Sequence, residues 1–320
     1  MSLHLLNKVT RCAALLVAGL LALPAWAGAP LAKTNAPGFQ RFMLGDFEIT
    51  AVSDGTVDLP VDELLKESPQ KTQAALAKNF QKAPLETSVN AFLINTGKRL
   101  VLVDTGAGSL FGPTLGKLAS NIKSSGYRLE DVDDVLLTHM HPDHVGGLTV
   151  NGVVQFPNAT VHAVKQEADY WLSQQNLDNA PKDAKGFFQG AAASVNPYVS
   201  ARKLVLFEGD VEVVPGVASL ASPGHTVGHT SYVVRSQGQE LLIVGDLIHV
   251  PAVQLVHPEV TIGFDTDAAG AAASRAKVFT DAAKSGVLVG ASHMPFPGVG
   301  HLTRTGKSYQ WVPVNYTQLR

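Results

Sequence analysis

The stretch Thr138-His-Met-His-Pro-Asp-His-Val145 packs His139, His141, Asp143 and His144 into six consecutive positions, directly after the apolar run 135–137. Imidazole and carboxylate are the protein donors that suit borderline divalent cations, so four at this density predict metal binding. The run lies where a buried strand opens into a loop. A strand's period of two points His139 and His141 the same way. Pro142 breaks the strand, so Asp143 and His144 aim at a second point a few ångströms further on. One cluster can therefore serve two metals.

Such a site needs ligands from distant sequence, and candidates stand at strand ends. His225 sits in Ser222-Pro-Gly-His-Thr226 after the apolar run 217–221, Asp246 closes the run 241–245, and His293 follows 288–292. Each repeats one order: apolar strand, small residue, ligand. Five His and two Asp suffice for two cations that share a carboxylate and a solvent molecule. Cations about 3.5 to 4 Å apart lower the pKa of a shared water from 15.7 towards roughly 7, which supplies a bridging hydroxide without a separate protein base. One cation polarises a carbonyl or phosphoryl oxygen while the other receives the departing oxygen, so ester, lactone and phosphotriester cleavage all fit.

The motif His139-x-His141-x-Asp143-His144, followed in order by His225, Asp246 and His293, resembles the metallo-β-lactamase superfamily; Val103-Asp104-Thr105-Gly106 and Gly224-His225-Thr226 are similar to it too. The likeness runs from about Phe47 to beyond His293. It implies that His139, His141 and His225 hold one metal, that Asp143, His144 and His293 hold the other, and that Asp246 bridges them. The expected cofactor is a pair of divalent ions, zinc first, with manganese, cobalt or iron able to use the same donors. Asp104 either orients a ligand imidazole or caps the Gly-rich turn after it.

Several branches of the superfamily are disfavoured. Lactam-cleaving members of one branch use a Cys ligand, and the single Cys here is Cys12. Oxygen-reducing di-iron members carry Glu where His141 stands. RNA-processing members need a basic surface, whereas 25 basic residues face 27 acidic ones for a net charge of -2, which argues against nucleic acid and other polyanions.

Other segments resemble the methyl parathion hydrolase group, which includes organophosphate triesterases and the related aryl-ester and lactone hydrolases such as dihydrocoumarin hydrolases. These are Leu44-Gly-Asp-Phe47, Asn90-Ala-Phe-Leu-Ile-Asn-Thr96, Phe111-Gly-Pro-Thr114, Pro223-Gly-His-Thr-Val-Gly-His-Thr-Ser231, Pro295-Phe-Pro-Gly298 and Tyr309-Gln-Trp-Val-Pro-Val314. The resemblance implies an aromatic cage of Phe111, Trp171 and Phe188 around an apolar leaving group, each stacking contact contributing ~0.5 to 1.5 kcal/mol. By type alone these three aromatics read as core. His249 stands where the phosphotriesterase specialists carry Leu. An imidazole there suits a planar ester or an opening lactone and crowds a tetrahedral phosphotriester, so Asp246 and His249 are the expected catalytic residues and aryl esters or lactones the expected substrates.

Alternatives are a phosphotriesterase, an acyl-homoserine lactonase, a glyoxalase-type thiolester hydrolase, which would want a basic clamp near the ligands, and a metal-storage protein, which would close its coordination sphere. His162 and His257 read as solvated or hydrogen-bonded, and His229 and His301 as candidates for pinning the loops beside the ligands.

Lys8 and Arg11, the apolar run 13–23 and Pro24-Ala-Trp-Ala27 read as a secretory signal with cleavage after 27, hence a periplasmic or secreted bacterial enzyme that has no membrane anchor once cut. Residues 28–46 read as a lead-in and 47–320 as one hydrolase domain, without a thiol after cleavage. Related hydrolases are commonly dimers, so a homodimer is an expectation from resemblance. Runs 47–52, 92–94, 100–103, 135–137 and 241–244 predict strands, and 62–79, 113–125, 166–175 and 267–285 predict helices, the last capped by Thr266 or Asp267. The order predicts a four-layer αββα sandwich.

Overall fold

Alternation along the central strands builds the molecule outward from its middle. In the computed structural model, which describes residues 28–319, β1 (Phe39–Leu44), β2 (Phe47–Leu59), β3 (Leu85–Asn95), β4 (Leu100–Val103) and β5 (Asp134–Leu136) lie side by side. After a small hairpin of β6 (Thr149–Val150) and β7 (Val153–Val154), β8 (Thr160–Val164) and β9 (Leu204–Phe207) complete that seven-stranded sheet. The second sheet follows chain order from β10 (Glu212–Val214) through β11 (Val217–Ala221), β12 (Thr230–Ser236), β13 (Gln239–Ile243), β14 (Leu288–Gly290) and β15 (Val299–Thr305) to β16 (Ser308–Pro313).

Period two then sorts the side chains into layers. Phe92, Ile94, Val101, Val103 and Leu136 meet Tyr232, Val234, Leu241 and Ile243 between the sheets. Their neighbours Leu93, Leu100, Leu102 and Val135 face outward onto the helices Leu118–Ser124, Lys165–Trp171 and Lys185–Ser200. Val233, Leu242 and Val289 face the other way, onto Val278, Phe279 and Ala282 of the helix Ala268–Ser285. The result is the αββα sandwich, and residues 37–319 form one compact unit. No helix among the described residues is long and apolar enough to cross a membrane.

Local rules explain where the elements differ from expectation. The helix expected over 62–79 is two, Val61–Leu64 and Pro69–Lys78, because Ser68 before Pro69 is held extended. The helix expected over 113–125 starts only at Leu118, after a turn in which Gly116 has φ +78°. The stretch 166–175 divides at Ser173, whose hydroxyl accepts from the Asn176 N–H to start Gln174–Asn179. Asp267 caps the long helix by accepting from the Gly270 N–H, and Gly286 closes it with φ +68°. The stretch 28–46 carries β1, paired in register from Phe39 opposite Val52 to Leu44 opposite Phe47. The expected signal segment and Cys12 lie outside the described residues.

Arg275, on the long helix, is 1 % exposed and donates to the carbonyls of Leu247, Pro258 and Val260, so it ties down the segment that follows Asp246. Burial lowers its pKa from the usual arginine value. An Arg275→Met substitution leaves three carbonyls without that donor, and the expected loss is about 3 kcal/mol in a denaturant melt. A loss under about 1 kcal/mol would show that the guanidinium does not hold this segment.

Candidate metal centre

The strands β5, β11, β13 and β14 each release a donor just past their C-terminal end, and the donors converge although they are up to 154 positions apart in the chain, from His139 to His293. His139, His141, His225 and Asp246 present one donor atom each within 4.8 Å of one another, and so do Asp143, His144, Asp246 and His293. Asp246 belongs to both groups. Its Oδ2 lies 3.6 Å from His139 Nε2, 3.3 Å from His225 Nε2 and 3.1 Å from His293 Nε2, and its Oδ1 lies 3.1 Å from His144 Nε2. Asp143 Oδ2 stands 3.6 Å from His144 Nε2 and 3.5 Å from His293 Nε2. Pro142 opens a single helical turn, Pro142–Val145, which carries Asp143 and His144 away from the extended His139 to His141 segment.

Three of the ligand imidazoles are aimed by their other nitrogen. His144 Nδ1 lies 2.8 Å from Asp104 Oδ2, and Asp104 also accepts from the Thr138 N–H at 2.8 Å and the Thr138 hydroxyl at 2.7 Å. Asp104 therefore orients a donor rather than merely capping a turn. It does so from a left-handed backbone, φ +61°, at the end of β4. His225 Nδ1 lies 2.8 Å from Asp265 Oδ1, and His293 Nδ1 donates to the Ser88 carbonyl at 2.9 Å. His229 holds Asp246 itself: its Nε2 accepts from the Asp246 N–H at 3.0 Å while its Nδ1 donates to the Ser222 carbonyl at 3.0 Å. This close approach needs Gly245, since a Cβ there would sit 2.7 Å from His229 Nε2. Burial, reinforced by His225, pushes the His229 imidazole down to about 3, the neutral form this pairing requires.

Burial likewise holds His139 and His141 far below the usual imidazole range, in the neutral form that donates a lone pair. At His225 burial is outweighed by Asp246 and Asp265, which push it up to about 9. Asp246 is held well below the carboxylate range by the imidazoles around it, which outweigh its burial. The donor set fits a pair of divalent cations on a direct observation: His139 Nε2, His144 Nε2 and Asp246 Oδ1 are buried without hydrogen-bond partners. Although His144 Nε2 and Asp246 Oδ1 are close, they are not aligned with each other, so their lone pairs are left free for a third group.

A cavity of about 90 Å³ lies against the donors, lined by His141, Asp143, Asp246, His249 and His293 and walled by Phe111, Phe187 and Phe264. His249 Nε2 is 3.1 Å from Asp246 Oδ2. Of the expected cage, Phe111 lines this cavity, while Trp171 and Phe188, both buried, line a neighbouring cleft of about 570 Å³ that also reaches His141. The reason is helical phase: Phe188 shares the inward stripe of Lys185–Ser200 with Ala191, Val195 and Tyr198, and Phe187, one residue earlier, turns to the donors with its ring 4.8 Å from His141. Trp171 meets His141 edge-on at 5.1 Å from the core side.

Sequence reasoning missed Phe187, Phe264, Asp265 and Asp54. Asp54 is buried and accepts from the N–H groups of Ala107, Gly116 and Leu118, which folds the loop that carries Phe111. The i, i+3, i+7, i+10 spacing of residues 188, 191, 195 and 198 would have found the helix and, one position off it, Phe187. No such spacing marks Asp54 or Asp265. The remaining histidines among the described residues lie away from the donors: His162 pairs with Asp134 at 2.9 Å, His301 Nδ1 donates to the Gly286 carbonyl, and His257 is exposed beside Glu259.

Comparison with known proteins agrees with this geometry. Among curated relatives, an N-acyl homoserine lactonase of a Bacillus species is 28% identical over 172 residues, 48% of this chain and 60% of that protein. The same enzyme of Bacillus cereus is 27% identical over 50% of this chain and 63% of its own. The matches thus span less than two thirds of these relatives. Among solved structures, a hydrolase of the beta lactamase superfamily called AbOPH superposes with a TM-score of 0.84 at 38% identity, covering 89% of this chain and 100% of that one. AidC, a dizinc quorum-quenching lactonase solved in complex with a product, superposes at 0.81 with 27% identity over 88% and 99%. Residues 85–293, well over half of the sequence, match the Metallo-beta-lactamase superfamily, and this chain belongs to that superfamily.

Proposed function

We propose that this protein is a metal-dependent hydrolase that cleaves lactones and aryl esters in preference to phosphotriesters, in the manner of the dihydrocoumarin hydrolases its outer motifs resemble. We also propose that it works in the periplasm or outside the cell after residues 1–27 are removed. The observation that carries the substrate reading is the shape of the cavity on the donors. It is small, about 90 Å³, and adjoins a wider cleft of about 570 Å³ that shares His141, Phe187 and Phe264 with it. A flat carbonyl group slides between the rings of Phe111, Phe187 and Phe264, whereas a phosphorus centre with three ester arms must push them apart. The lactonase relatives and the dizinc lactonase neighbour support the same choice.

The trio His139, His141 and His225 would hold one cation and Asp143, His144 and His293 the other, with Asp246 shared. When bound, such a pair supplies Lewis acidity and a water acidic enough to ionise near neutral pH. The rest falls to the chain. His249 is pushed down to about 4 chiefly by burial, so its imidazole is neutral and owns one N–H. That N–H can pass from Asp246 Oδ2 to a carbonyl oxygen seated in the same cavity, or to the carboxylate left when a lactone opens. Phe111, Phe187 and Phe264 stack on the apolar part of the substrate and exclude bulk water.

A panel of dihydrocoumarin, hexanoyl-homoserine lactone, phenyl acetate and methyl parathion, run on metal-analysed protein, tests the proposal. A lactone or aryl ester is expected to lead by at least about tenfold in kcat/KM. His249→Leu should lower the ester and lactone rates by about 10- to 100-fold while sparing methyl parathion. A wild-type enzyme fastest on methyl parathion would overturn the reading.

A further inference from the structure

Glu167 is a carboxylate buried to 1 % exposure that no donor role accounts for. It stands in the first turn of the helix Lys165–Trp171, behind the site. Its Oε1 accepts from the Met140 N–H at 2.9 Å, and its Oε2 accepts from the Gly228 N–H at 2.8 Å. Met140 is the residue between His139 and His141; Gly228 lies between His225 and His229. One side chain therefore spans the two loops that carry His139, His141 and His225. The fit is close, because a Cβ on Gly228 would stand 2.8 Å from the Glu167 nitrogen and 3.0 Å from its Cβ.

The chemistry of the joint calls for a carboxylate. Both partners are N–H donors, and an ionised carboxylate has two acceptor oxygens, one for each. A glutamine of the same shape has one acceptor and would turn its NH₂ towards the other N–H, leaving two donors facing each other in the interior. Burial raises the Glu167 pKa, opposed by these two N–H groups. The second trio has separate supports, Asp104 behind His144 and the Ser88 carbonyl behind His293.

We propose that Glu167 is a positioning residue for one of the two ion sites: by holding Met140 and Gly228 it sets the spacing of His139, His141 and His225, leaving the site of Asp143, His144 and His293 to its own supports. The inference rests on the assignment of cations to these trios. It predicts uneven damage. Wild-type protein, Glu167→Gln and Glu167→Asp, the last with its carboxylate withdrawn by one methylene, are titrated with zinc and with cobalt(II) against a chromogenic chelator.

The expected result is two ions per chain in the wild type, and in each variant one ion weakened by at least about tenfold while the other stays within about threefold. Adding His141→Ala to Glu167→Gln should weaken that same ion little beyond His141→Ala alone, as coupled residues do. Excess zinc should restore kcat in the single variants, which a general packing defect would not allow. Hydrogen exchange on wild-type protein covers the case of a variant that fails to fold: the Met140 and Gly228 amides should exchange more slowly than the amides flanking them. Equal weakening of both ions, no weakening of either, or fast exchange at those two amides overturns the inference. A wild type that binds no ions overturns instead the assignment beneath it.

Discussion

Asp246→Asn protein is expected to lose at least about 10³-fold in kcat/KM and to retain fewer than two ions per chain. Substituting a residue that merely supports a ligand costs about 10- to 100-fold in affinity or activity. Asp246 is placed to do more than support, since its two oxygens lie within 3.6 Å of His139, His144, His225 and His293, on both sides of the site. The amide keeps the shape and the backbone bond to His229 but has one acceptor oxygen and no charge. The imidazoles of His144, His225 and His293 would then face an NH₂ or a neutral oxygen. Steady-state rates with a lactone, together with ion content per chain, read the effect. A variant within tenfold of wild type that still holds two ions would remove Asp246 from the centre of the site.

Chelation should have the next largest effect, and on two observables. Activity is expected to fall to background and to return on adding zinc. Thermal stability should fall with it, because four donors come from the segment after β5 in the first sheet and three from segments after β11, β13 and β14 in the second. A cation bound only by the folded chain stabilises it by about 2.7 kcal/mol at a hundred times its Kd. For a protein of this size two such losses amount to a fall in Tm of roughly 10 °C or more. Thermal melts before and after dialysis against a chelator, with and without added zinc, measure it. Full activity in protein stripped of ions would sink the functional reading, and an unchanged Tm would show that the ions do not fasten the sheets.

What could be read in advance follows from how each feature is encoded. The sandwich was legible because strands buried on both faces, such as 100–103 and 241–244, leave continuous apolar runs. The donors were legible because His and Asp rarely end such runs without cause. Side-chain direction was not legible where it depended on helix phase: Phe187 and Phe188 are adjacent and chemically identical, and only the inward stripe through Ala191, Val195 and Tyr198 decides which one meets the site. The apolar spacing of that helix competes in the sequence with Gly186, Gly190 and Pro197, all poor helix formers held here by packing. Asp54, Glu167 and Asp265 act through backbone N–H groups or through a histidine 40 positions away, and partners of that kind leave no trace in local spacing.

The residues that wall the small cavity, Phe111, Phe187, His249 and Phe264, stand on four separate segments, and Phe111 and Phe187 lie on segments that carry no ion ligand. Those two residues and the donors can accordingly drift at different rates under selection. A descendant of this protein could acquire a taste for a new compound through a handful of exchanges at Phe111 and Phe187, with its seven donors inherited intact.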